Sequence, residues 1–379
     1  MKNTDVIVKR ILTKEISDIS DLLNGKIEPT DLQSFLLSVY ENLVTRIDIR
    51  NISRQRERNR FVQPCGISQR EIIDFDKLIY GIVPKIFNSI ELSPVNPIGL
   101  NSVLSKINQK NVLSTVRNVE VIADVTTALA LECAKLRNIV IRNNPMSAEE
   151  SHFCTSHRSI RLQQFEKIPG FTPHFKVFGA CSAGRDVGHE KFEVENLIRH
   201  ISIYLDLFEE VGRNGYLAQD VVVYISDIRI TEALIERFKI DRQEIMANTQ
   251  TKGFKLFNRY GVALSGTILS TSELAEDIVR QYDLNYPLSF LREIEGKAVS
   301  KLRKKYPSAI FCFDIERVAG IGYYENLCFK IVAKNKEGIT FPLVDGGMTD
   351  WTKKLLASKK ERLLTSGFGS ELFCKNFKK

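Results

Sequence analysis

Residues 158–186 read RSIRLQQFEKIPGFTPHFKVFGACSAGRD, and the reading of this stretch decides the rest of the chain. An apolar run ends near Arg161, and Phe175, Val177 and Phe178 mark a second one. Pro169 and Gly170 punctuate the polar segment between them, which predicts two strands joined by a long loop. An arginine beside such a loop suits an anion, because its planar fork makes two charge-assisted bonds to one phosphate or carboxylate. An ordinary hairpin with a surface arginine also accounts for these residues. The surrounding chain has to decide.

Its 379 residues allow two or three domains, or one large domain with appendages. Apolar residues make up 43% and charged residues 26%, a balance that builds a core and excludes a disordered chain. A net charge of +8 is compatible with a polyanionic partner such as RNA or a nucleotide. Seven cysteines without CxxC spacing fit buried reduced thiols better than a disulfide framework or a zinc site. The first residues mix charge and apolar groups too evenly for a signal peptide, and no apolar run reaches membrane-spanning length. The expectation is a cytoplasmic protein with no membrane partner.

Helical periodicity runs from residue 4 to about 50, so residues 1–60 are expected to form a helical N-terminal appendage. It closes in the basic run 54–60, RQRERNR, which reads as a solvated linker or as a contact to RNA. The core is expected to span 61–379, opening with an amphipathic helix from Ser68 to about Phe87. Asp124 precedes the apolar segment TTALALECAKL and can cap it as a helix. Residues 240–305 read as a mostly helical insertion, and the last quarter is β-rich. The elements do not alternate βαβα, which predicts an α+β fold, and no P-loop or GxGxxG opens a helix. His152 and His157 flank Cys154 in what reads as a loop, with no third ligand, so no metal site is expected.

The segments 122–130 (IADVTTALA), 161–186, 313–331 (FDIERVAGIGYYENLCFKI), 344–356 (VDGGMTDWTKKLL) and 361–373 (ERLLTSGFGSELF) resemble, in this order, the catalytic core of class II aminoacyl-tRNA synthetases. The resemblance is greatest to histidyl-tRNA synthetase and to the regulatory subunit of ATP phosphoribosyltransferase. It implies an antiparallel sheet flanked by helices, a homodimer, an amino-acid-like ligand, and ATP with magnesium. By the same resemblance Asp124 and Thr126 hold an α-amino group, and Arg161 meets the α-phosphate and the reacting carboxylate. Gln163 lies toward adenine, His174 lies beside the ligand loop, and Tyr323 and Tyr324 line the amino-acid pocket. Gly346 and Gly347 let backbone approach the ligand.

Departures from the pattern carry equal weight. Ala319 stands where the family has a transition-state arginine, with Arg317 two residues earlier as a substitute on the same strand face. Gly322 replaces an aspartate, and Met348 and Thr349 replace an arginine and a tyrosine. Ser370, Glu371 and Leu372 occupy the region of the γ-phosphate arginine, and Val177 and Cys181 stand where polar groups would select an imidazole. One preorganised charge contact supplies roughly 3 kcal/mol, so two such losses argue against ordinary histidyl-tRNA formation. Three readings stay open: an adenylate-forming ligase with a non-tRNA acceptor, a non-catalytic ligand-sensing subunit of a partner enzyme, and an RNA-binding accessory protein.

Overall fold

Small, aromatic and β-branched residues mix along 151–185, and the sheet is built outward from there. The computed structural model describes residues 28–163, 171–242, 245, 257–262 and 266–379. The expected helix before residue 28, the loop residues Pro169 and Gly170, and residues 243–244, 246–256 and 263–265 of the expected insertion lie outside the described residues.

The chain divides into two units, residues 1–63 with 114–120 and residues 64–113 with 121–379. In the first, Pro29 starts α1 (Pro29–Val44), and Asp48 caps α2 (Ile49–Arg58) by accepting the Asn51 N–H at 2.8 Å. The second unit opens with α3 (Gln69–Ile82), β1 (Asn88–Ser89), α4 (Val125–Asn143), β2 (Ser151–Ile160) and β3 (His174–Arg185). It continues through α5 (Lys191–Val211), β4 (Gln219–Asp227), α6 (Ile228–Arg237), β5 (Thr267–Ile268) and α7 (Asn285–Ile294). It ends with β6 (Ile310–Asp314), β7 (Leu327–Lys334), β8 (Thr340–Thr349), β9 (Glu361–Phe368) and α8 (Ser370–Asn376). Among the described residues no helix is long and apolar enough to cross a membrane.

Nine strands form one sheet in the order β1-β2-β3-β9-β8-β7-β4-β6-β5. Only β1 with β2 and β4 with β6 run parallel, so this is the expected α+β architecture. Strand period sorts β3 between two cores. Phe178 and Ala180 join the large core with α3 and α5, whereas Cys181 and Ala183 face α4. At Gly179 a Cβ would come within 2.7 Å of the Val125 side chain, so α4 starts in close contact with β3. Two expectations need correcting. The segment from His152 to His157 lies inside β2, not in a loop; that strand ends at Ile160, next to Arg161, where the apolar run is expected to end. Arg317 sits in irregular backbone after β6, so strand alternation does not position it.

Two buried polar assemblies tie the helices to the sheet. On one side Arg137 of α4 donates Nε and Nη2 to the two Glu361 oxygens at 2.8 and 3.0 Å, with both side chains fully buried. On the other, His152 Nδ1, Ser182 Oγ and His200 Nε2 are linked at 2.8 Å each. His200 Nδ1 then meets Ser366 Oγ at 2.7 Å, and Tyr204 Oη meets the same hydroxyl at 2.6 Å. These contacts form one continuous hydrogen-bonded chain, Tyr204–Ser366–His200–Ser182–His152. Burial, with lesser contributions from His152 and Arg199, holds His200 well below its ordinary pKa.

Removing one member of the Arg137–Glu361 pair strands a buried charge. Arg137→Met is therefore expected to lower unfolding stability by roughly 3–5 kcal/mol, with much of the loss recovered in R137M/E361L, as measured by denaturant titration. For His200 the folded pKa lies below the unfolded value near 6.5, so stability is full above that pH. It falls as pH drops, because only the unfolded chain takes up the proton. Burial lowers His157 in the same direction. Unfolding free energy measured against pH should fall below pH ~6.5 by up to about 1.4 kcal/mol per unit for each such histidine, and His200→Gln should remove one share.

Candidate functional site

Asp124 ends the chain segment entering α4 and caps that helix, its Oδ1 accepting the Thr126 N–H at 3.0 Å and the Thr126 hydroxyl at 2.7 Å. Its other oxygen accepts the Tyr323 hydroxyl at 2.8 Å, and Tyr323 Oη also lies 3.0 Å from Thr126 Oγ1. Burial, reinforced by the Asp124 charge, raises the Tyr323 phenol well above its ordinary pKa, so it stays a donor. Residues 199 positions apart in sequence thus share one carboxylate.

Arg161 reaches the same carboxylate. Its Nε donates to the Ala123 carbonyl at 2.9 Å, which fixes the arm, and its Nη2 stands 3.8 Å from Asp124 Oδ2. The guanidinium lies 5.7 Å from the centre of the Phe175 ring and its side chain is 32% exposed. Gln163 lies two residues beyond, where the described stretch ends.

The turn carrying the tyrosines uses left-handed backbone at Gly320 and Gly322, φ 94° and 77°. Tyr323 and Tyr324 meet edge to face with ring centres 4.8 Å apart, and Trp351 packs 5.1 Å from Tyr323. Tyr324 donates to Asp345 Oδ1 at 3.1 Å, and Arg317 Nη2 bonds the same oxygen at 2.7 Å. Arg317 also donates Nε to the Ala319 carbonyl at 2.9 Å. Gly347 lies in β8 directly against the Tyr324 ring, whereas Gly346 faces Phe329 and Ser366 on the other side of the sheet and is not brought to this cluster.

His174 does not stand alone beside the loop: its Nδ1 is 3.0 Å from Arg158 Nη1. Arg158 in turn pairs with Glu371 at 2.8 Å. That buried carboxylate also takes the Lys375 ammonium at 2.6 Å and the Lys176 N–H at 3.2 Å. Met348 and Thr349 are fully buried. Cys181 is buried against α4, its Sγ 3.6 Å from the Thr126 carbonyl, and burial raises its thiol well above the ordinary range.

The structure therefore brings Asp124, Thr126, Arg161 and Tyr323 into one cluster, and Tyr324, Arg317 and Asp345 into a second that adjoins it through the tyrosine pair. Sequence reading missed Asp345, Arg158 and the role of Glu371. Asp345 and Glu371 lie in segments quoted for the resemblance and Arg158 lies three residues before one, but their pairings are long-range and carry no local signal.

The chain matches no protein-family model and no curated protein sequence. Solved structures do match it. An ATP phosphoribosyltransferase regulatory subunit/histidyl-tRNA synthetase from Bacillus halodurans aligns at 15% identity over 83% of each chain, with a TM-score of 0.57. A histidine–tRNA ligase subunit from Alicyclobacillus acidocaldarius aligns at 12% identity over 83% of this chain and 96% of its own, with a TM-score of 0.60. A histidyl-tRNA synthetase from a Nostoc species aligns at 14% identity over 82% of this chain and 73% of its own, with a TM-score of 0.52. Similarity at this level concerns the fold: the chain has a class II synthetase-like fold, similar to that of histidyl-tRNA synthetases and the ATP phosphoribosyltransferase regulatory subunit.

Proposed function

We propose that this protein senses an amino-acid-like zwitterion without adenylating it, and that a partner enzyme responds to the bound state. The observation carrying this reading is the pairing of Asp124 with Arg161 across 3.8 Å, one group suited to an ammonium and the other to a carboxylate. Both are pre-positioned, Asp124 by Thr126 and Tyr323 and Arg161 by the Ala123 carbonyl. Preorganised opposite charges bind a zwitterion with little ordering cost. A neighbour of the same fold is itself named a regulatory subunit, which supports the same view.

ATP with magnesium fits these residues poorly. Arg158 is already answered by the buried Glu371, and Arg317 by Asp345 and the Ala319 carbonyl. A triphosphate would have to displace these carboxylates while adding negative charge beside them. The ligase reading needs Arg317 as its substitute cation, so the sensing reading is preferred.

A screen of proteinogenic amino acids by thermal unfolding tests this. One of them should stabilise the protein, by about 2.7 kcal/mol when present at a hundredfold excess over its Kd. Asp124→Asn and Arg161→Ala should each abolish that shift while leaving the unliganded protein folded, and amino-acid-dependent pyrophosphate exchange should stay at background. Exchange that depends on Arg161 would instead establish the adenylating alternative.

A further inference from the structure

Arg50, Arg54 and Arg58 stand four residues apart in α2 and so form one row along the helix, with Arg46 in the turn before it and Arg56 beside it. All five side chains are exposed, and none has an ion-pair partner among the described residues. Asp48 is occupied as the helix cap, and Glu57 pairs with none of them. Like charges four residues apart oppose helix formation, so the row works against the unit's own stability. An ordinary solvated face mixes signs, and this one does not.

Polyanions come as lipid surfaces or as nucleic acids. The apolar residues of α2 are Ile49 and Ile52 alone, too few to hold a helix in a bilayer interface. A row with one guanidinium about every 6 Å can instead follow a line of phosphates. In α1 of the same unit Phe35 and Tyr40 are 46% and 55% exposed, and unstacked bases lie on such rings. We infer that the first unit binds single-stranded nucleic acid through its phosphates, without sequence preference, independently of the amino-acid site.

The test uses the full chain, fluorescence anisotropy and labelled oligouridine and oligothymidine of about 20 nucleotides, longer than a typical site. Binding to either strand should weaken steeply with salt. R50Q/R54Q/R58Q should lose on the order of tenfold in affinity, and its log–log salt slope should fall by about 2, at about 0.7 per contact. R50K/R54K/R58K, which keeps the charge, should retain the slope. Circular dichroism of both variants should match the parent, since the substituted side chains are exposed. The inference is overturned if neither oligonucleotide binds, or if the glutamine variant binds with unchanged slope. It is equally overturned if phosphatidylserine vesicles, and not the oligonucleotides, lose binding in that variant.

Discussion

No side chain fits at residue 347. A Cβ there would lie 2.6 Å from the Cys328 Cβ, 2.7 Å from the Leu327 carbonyl and 2.7 Å from the Tyr324 ring. Carbon contacts this short are repulsive, so glycine is what allows Tyr324 to lie across β8. Gly346 does the same for Phe329, whose ring would meet a Cβ at 2.7 Å. Once Tyr324 is seated, the edge-to-face packing of Tyr323 between it and Trp351 aims the Tyr323 hydroxyl at Asp124. The chain from β8 to the first turn of α4 is thus a sequence of contacts set by missing atoms.

Electrostatics then separates one arginine from the others. Arg158 is matched by a carboxylate that is 1% exposed, and Arg317, itself 4% exposed, by Asp345 and a carbonyl. Taking such groups from water is costly unless they are paired in good geometry, and once paired they are held firmly. Arg161 differs: one nitrogen is spent on a carbonyl, while the outer edge approaches Asp124 without closing on it. Arg161 is thus the arginine poised toward a ligand beside Asp124.

The fold was legible because its signals are local. The order of the apolar runs, the Asp124 cap and the glycines at 346 and 347 all appear within short windows, and each has a physical reading. What stayed hidden depends on pairs distant along the chain. Arg137 and Glu361 are 224 residues apart, and nothing in either neighbourhood marks them as partners. His152 and Cys154 read as loop residues, yet β pairing places His152 opposite Ser182 and makes it a core hydrogen-bonding group. Arg185 and Asp186 are sequence neighbours of opposite charge, yet Asp186 binds Arg362 at 2.7 Å and Arg185 touches Met146. Arg317 lies beyond the end of β6, so strand alternation does not set its direction.

Strand period links the site to the buried relay behind it. In β3 and β9, Cys181 and Thr365 stand opposite each other facing α4 and β8, while the next residues, Ser182 and Ser366, face α5 and carry the histidine chain. A one-residue slip in either strand would exchange these roles, placing hydroxyls under α4 and a thiol and a threonine among the imidazoles. The relay is satisfied in one register only, and that register is the one that seats α4 with Asp124 at its start. Polar groups far from any ligand therefore help to determine where the carboxylate of the candidate site lies.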